Sequence, residues 1–166
     1  MNIYLVGMMG SGKTTIGNLL ALEIGYNYID TDNLIENKCK MSIADIIIFY
    51  GIDYFRSLET QVLEVFQNCQ ELVVSTGGGI ILNEENIILM KNKGKIIYLE
   101  TSIEVLKSRL DKQEIAKRPL LMFNSLKEIF DSRVGIYQAV SDITISCDDL
   151  TPKEICEIII KEVNIY

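Results

Sequence analysis

The run GMMGSGKTT, Gly7 to Thr15, follows the short apolar segment NIYLV and fits the spacing G-x-x-x-x-G-K-[ST] at Gly7, Gly12, Lys13 and Thr14. Glycines in such a loop let the backbone wrap closely around an anion with its N–H groups pointing inward. A helix starting there adds its positive dipole end. Gly10, Ser11, Gly12, Lys13, Thr14 and Thr15 are therefore the candidate nucleotide-binding residues. Lys13 is expected to reach the β- and γ-phosphates of a nucleoside triphosphate, and the Thr14 hydroxyl to ligate Mg²⁺. The loop says what is held, but not what receives the phosphate.

Two further clusters and a few cations bear on the acceptor. In DTD, Asp30 and Asp32 lie two residues apart, on one side of an extended segment. A phosphotransferase needs one carboxylate near the metal and another to orient the acceptor hydroxyl or take its proton. The same pair also suits the start of a helix near Asn33, where Asp is a common cap. STGGGI carries three consecutive glycines, Gly77 to Gly79, which read as a side-chain-free surface for close approach or as a flexible turn. Ser75 and Thr76 stand where many phosphate-loop proteins place a second acidic motif, which makes Asp30 the metal-side carboxylate. The chain has twelve lysines and only four arginines, Arg56, Arg109, Arg118 and Arg133. An Arg among so many Lys marks places that use a planar bidentate fork, although a surface ion pair is the alternative at Arg56, Arg118 and Arg133. Glu59 is placed to hold Arg56 by an i, i+3 pair. Arg118 falls in the polar connection DKQEIAKRPL, of the kind that covers an active site, and Arg109 reads as a solvated helix residue.

These groups need a frame to hold them. Strands are expected at Asn2–Val6, Asn27–Ile29, Leu72–Ser75, Lys95–Leu99 and Asp142–Ser146, most of them apolar and β-branched as buried parallel strands are. Lys13–Ile24 reads as a helix ended by Gly25, and Ser42 with Asp45 as a capping box. Ile52–Asn68 has helical spacing, and Thr151, Pro152 and Glu154 form a helix start. IADIIIFYGI is broken by Asp45 and Gly51 and fits a buried helix rather than a membrane span. Alternating strands and helices imply a parallel sheet with its ligands at the carboxyl ends of the strands.

Composition narrows the class further. With 166 residues the chain is expected to form one domain. A net charge of −7 argues against nucleic acid as the main partner. The absence of histidine excludes a thiolate–imidazole zinc site and a histidine base. Cys39, Cys69, Cys147 and Cys156 form no C-x-x-C pair and read as free thiols. With no signal peptide or membrane span visible, the cytoplasm is the expected location.

Taken together and in order, GMMGSGKTT, DTD, FRSLE, STGGG, KRPLL and RVGIY resemble shikimate kinase over nearly the whole chain. The resemblance implies a three-layer αβα P-loop kinase fold with a five-stranded parallel sheet in order 2-3-1-4-5, working as a monomer. It implies transfer of phosphate from ATP, with Mg²⁺, to the 3-hydroxyl of shikimate, and no nucleic acid or membrane partner. Within residues 1–166 it places the phosphate loop at 7–15, a substrate-binding helical region at about 31–60 and a lid at about 110–124. Lys13, Asp32 and Arg118 would be catalytic, with Asp32 on the ring hydroxyls as base or orienting group. Arg56 and Arg133 would clamp the carboxylate, Gly78 would offer its backbone, and Arg118 would also meet the phosphates. Thr14 and Asp30 would hold the metal through water. The lid is short, and SCDDLTP stands where some members carry an adenine-covering Arg, which leaves the adenine contact to other groups. A same-fold kinase for another hydroxy acid such as gluconate, and a nucleotide-binding module without catalysis, are the alternatives.

Overall fold

The structure, a computed structural model, describes residues 1–110 and 124–164. Its elements alternate as the apolar pattern requires. Strand β1 (Asn2–Val6) leads through the glycine loop into α1 (Lys13–Ile24), then β2 (Asn27–Asp30). Three helices follow, α2 (Thr31–Cys39), α3 (Ile43–Tyr50) and α4 (Ile52–Phe66), before β3 (Leu72–Ser75). After a 3₁₀ turn at Ile80–Leu82 come α5 (Glu84–Lys93), β4 (Gly94–Glu100) and α6 (Ile103–Arg109). Beyond residue 123 lie α7 (Leu126–Val140), β5 (Ile143–Ser146) and α8 (Pro152–Val163). The expected helix starts are present: Ser42 accepts from the Asp45 N–H, and Thr151 with Glu154 forms a reciprocal capping box.

All strand pairs are parallel, and the order is β2-β3-β1-β4-β5, as expected. Side chains alternate between two cores. Ile3 and Leu5 join Val73, Ile97 and Leu99 against α1 and α8. Tyr4 and Val6 point the other way, with Val74, Ile96 and Tyr98, against α4, α5 and α7. The three inner strands are therefore sealed on both faces, and their carboxyl ends are left open to carry the site.

One expectation fails. The segment IADIIIFYGI does form α3, but not as a buried helix: only Ile46 is fully buried, while Ile48, Phe49 and Tyr50 are 71%, 70% and 60% exposed. The sequence is apolar almost all round, so its burial had to be set by how many neighbours reach it. Here α2 and α4 cover only one side.

Two glycines show how tightly the sheet is drawn. A Cβ on Gly94, paired with Asn2 between β1 and β4, would lie 1.9 Å from the Asn2 carbonyl oxygen, whereas one on Gly135 in α7 would meet nothing within 4 Å. Gly94→Ala is expected to lower stability in urea unfolding by about 1–3 kcal/mol. Gly135→Ala should raise it by about 0.5–1 kcal/mol, through helix propensity alone.

Candidate functional site

The loop between β1 and α1 has the left-handed or otherwise positive backbone that only glycine adopts easily, with φ of 148° at Gly7, 82° at Gly10 and 95° at Gly12. Gly7 also needs its missing side chain, since a Cβ there would lie 2.9 Å from the Leu99 carbonyl oxygen. Lys13 folds back over the loop, and its Nζ donates to the carbonyls of Gly7 and Met8 at 2.8 Å each. The Ser75 hydroxyl donates to the Lys13 carbonyl at 2.8 Å, so the residue at the end of β3 pins the first turn of α1.

Asp30 caps the helix that follows it and also reaches the phosphate loop. Its Oδ1 caps α2 by accepting from the N–H groups of Asp32 (3.0 Å) and Asn33 (3.1 Å). Its Oδ2 accepts from the Thr14 hydroxyl at 3.5 Å. Capping thus orients the carboxylate towards the phosphate loop. A hydroxyl and a carboxylate oxygen at the mouth of an anion-binding loop are hard donors of the type Mg²⁺ takes when substrate phosphates and water complete its shell. Among the described residues there is no cluster of three or more Cys, Asp or Glu that would hold a metal by itself, so this donor pair suits such a shared shell.

The triple glycine organises the rest. None of the three has positive φ, so close approach, rather than turn geometry, is what requires glycine at Gly77 and Gly79. A Cβ on Gly77 would lie 2.6 Å from Asp32 Oδ1 and 3.0 Å from Glu59 Oε1. On Gly78 it would face Tyr137 Oη at 3.4 Å and Arg133 Nη1 at 3.5 Å, and on Gly79 it would overlap the Arg56 guanidinium at 2.3 Å from Nη2. Gly77 and Gly79 make room for charged side chains of the protein itself, whereas at Gly78 a β-carbon would meet only ordinary contacts. Gly78 is half-buried, and the segment lines the cleft. Thr31 accepts from the Gly77 N–H at 3.1 Å, and Thr76 donates to the Leu5 carbonyl at 2.9 Å, fixing the segment against α2 and β1.

The two expected acceptor arginines converge. Arg56 pairs with Glu59 at 2.6 Å, as their spacing suggested, and Arg133 is only 6% exposed. Burial pulls the Arg133 pKa down, opposed by the nearby Tyr137, and the positive charge of Arg56 pulls it down further. Burial drives the Glu59 carboxyl up to about 7, against the pull of Arg56. Tyr137, stacked on Tyr98 with centroids 5.0 Å apart, donates its hydroxyl to the Gly78 carbonyl at 2.5 Å. Its pKa is pushed up to about 12, mainly by burial. In the sequence Tyr137 lies four residues beyond Arg133 in RVGIY, and that i, i+4 spacing is the signal available for their contact.

Arg109 departs from its reading as a merely solvated residue. Exposed at the end of α6, it donates from Nη1 to the Gly10 carbonyl at 3.2 Å, so it braces the phosphate loop. Arg118, and the expected lid at about 110–124 apart from its two ends, lie outside the described residues. One continuous cleft of about 710 Å³ runs from Arg56, Asp32 and Arg133, past the phosphate loop, to Arg109, Leu150, Pro152 and Ile155. That volume is in the range of small-ligand sites. The far, more apolar end was not assigned from sequence, because Leu150 and Pro152 read there only as part of a loop and a helix start.

The profile of the shikimate kinase family matches residues 9–164. The chain belongs to the shikimate kinase family. Curated shikimate kinases support this at full length: that of a Sulfurihydrogenibium species is 41% identical over 164 residues, covering 98% of this chain and 97% of that one. The Persephonella marina protein is 44% identical over 156 residues, covering 93% of each. A solved shikimate kinase from Acinetobacter baumannii, in complex with shikimate, superposes with a TM-score of 0.91 at 34% identity, covering 98% of this chain and 92% of that one. The likeness extends at the level of fold to an APS kinase of Mycobacterium tuberculosis, with a TM-score of 0.63 at 17% identity.

Tyr137→Phe, which removes only the hydroxyl, leaves the Gly78 carbonyl without that donor. Denaturant unfolding should show a loss of about 1–3 kcal/mol, with the fold's circular dichroism unchanged.

Proposed function

We propose that this protein transfers the terminal phosphate of ATP to the 3-hydroxyl of shikimate, giving shikimate 3-phosphate and ADP for aromatic amino-acid biosynthesis. The observation that carries the site assignment is the convergence of Arg56, Arg133 and Asp32 on one triple glycine in the cleft that also contains the phosphate loop. A small hydroxy acid needs cationic forks for its carboxylate and a carboxylate for its hydroxyls, with an anion cradle beside them. All are present at one end of the cleft.

In this reading Gly10 to Thr15 surround the phosphates, and Lys13 leaves its two loop carbonyls to meet them. Phosphoryl transfer asks mainly for alignment and charge neutralisation, so each side chain has a positioning task. Arg56 and Arg133 grip the acceptor carboxylate, with Gly78 alongside, and this fixes the ring. Asp32 then orients the reacting hydroxyl and accepts its proton. Asp30 and Thr14 hold Mg²⁺, which neutralises phosphate charge when bound. The apolar end formed by Leu150, Pro152 and Ile155, with Arg109 beside it, receives the nucleobase, in place of the Arg that SCDDLTP lacks. Arg118 is assigned to the phosphates on the family resemblance alone. No helix among the described residues is long and apolar enough to cross a membrane, and all four cysteines are free, which fits work in the cytoplasm. We assign the chain to one kinase unit acting as a monomer, without nucleic acid.

An acceptor panel assayed with ATP and Mg²⁺ tests the reading. Transfer to shikimate is expected, and transfer to gluconate alone would overturn it. Asp32→Asn should cut kcat by about a hundredfold or more, leaving ATP affinity within a few-fold. Arg133→Lys keeps the charge but loses the fork, and should mainly raise the KM for shikimate, by roughly tenfold. Asp30 separates its two tasks: Asn retains the cap and should unfold near the wild-type midpoint while needing more Mg²⁺ for half-maximal rate. Ala loses both, and should cost about 1 kcal/mol besides.

A further inference from the structure

Glu59 lies at the acceptor end, and the reading above gives it no part beyond holding Arg56. It is completely buried on α4. Its Oε2 holds Arg56 at 2.6 Å, while Oε1 receives no hydrogen bond among the described residues. Oε1 sits across Gly77 from the Asp32 carboxylate, both oxygens lying within 3.0 Å of the point a Gly77 Cβ would occupy. Arg133 and Tyr137 face it from α7, Asp32 from α2, and Arg56 from its own helix. Two guanidinium groups and two carboxyl groups therefore share one water-poor end of the cleft.

We infer that binding of a carboxylate-bearing acceptor is coupled to uptake of one proton by Glu59, so that this residue adjusts the charge of the acceptor site as it fills. The inference rests on the acceptor reading above. The physical reason is charge balance. An incoming carboxylate adds a third negative group to the two guanidinium charges, and it competes with Glu59 for Arg56. The group least able to stay charged is the one already most removed from water. A proton on Oε1 gives that oxygen a donor facing Asp32. Glu59 still presents Oε2 to Arg56, so the fork stays in place for the substrate.

The sign follows from the free site. Burial already holds the Glu59 carboxyl near 7, and an added negative neighbour raises it further. Well below 7 it is protonated with or without acceptor, and no proton is taken up. Between the free and the bound values, binding draws a proton from solution, and affinity falls by up to about tenfold per pH unit as pH rises. Tyr137, pushed up to about 12, does not titrate in that interval.

Calorimetric titration of the full chain with shikimate, at one pH in buffers of different ionisation enthalpy, counts the protons directly. At pH ~7.5 we expect uptake of about half a proton or more per shikimate bound, fading towards zero at pH ~5.5. Glu59→Gln, which keeps shape and an acceptor for Arg56, should make the heats independent of buffer and flatten affinity over that interval. Wild-type heats that agree in all buffers at pH ~7.5 would overturn the coupling even if the variant could not be purified. So would uptake that persists undiminished in Glu59→Gln. An absence of any binding heat is a different failure: it removes shikimate as acceptor, and this inference with it.

Discussion

The site depends on how closely charged side chains can approach one stretch of main chain. At Gly77 and Gly79 the missing β-carbons admit Asp32 with Glu59 and Arg56 in turn, and Arg133 with Tyr137 lies at contact distance from Gly78 between them. The elements that supply these groups, α2, α4 and α7, are separate in sequence and all reach this one loop. A side chain at Gly77 or Gly79 would push Asp32 or Arg56 outward, whereas at Gly78 a β-carbon would meet only ordinary contacts. Steric emptiness at two positions of one short loop therefore lets these charged groups lie close together.

That loop is itself held by the sheet. Its start follows β3, which lies between β1 and β2, so Thr76 reaches Leu5 on one side and Gly77 reaches Thr31 on the other. Ser75 ties the same strand end to the first turn of α1. The glycine loop after β1 and the triple glycine after β3 are thus fixed to one edge, formed by the carboxyl ends of adjacent parallel strands. Ligand sites in open sheets of this kind fall at such an edge because there the loops diverge while the backbone beneath them stays paired.

Much of this was readable from residue order. The strands were short, apolar and bounded by turn residues, and all five match to within one residue at each end; helix starts at Ser42 and Thr151 carried their own capping chemistry. Glu59 beneath Arg56 was legible because helical spacing makes i, i+3 neighbours meet. What was hidden needed distances between remote segments. Nothing local in GGG says that Tyr137, 59 residues on from Gly78, will cap its carbonyl, or that Arg109 will reach Gly10 across 99 positions. The exposure of α3 was misread for a related reason, since an all-apolar helix carries no polar face from which to infer its solvent side.

The triple glycine has a further bearing on chemical intervention. A compound that presses against the main chain of Gly77–Gly79 touches atoms common to every amino acid, so a single codon change cannot alter what it sees there without adding a side chain. At Gly77 or Gly79 such an addition first evicts Asp32 or Arg56 from its seat. The escape routes left to a resistant strain at those two positions are those that damage its own enzyme.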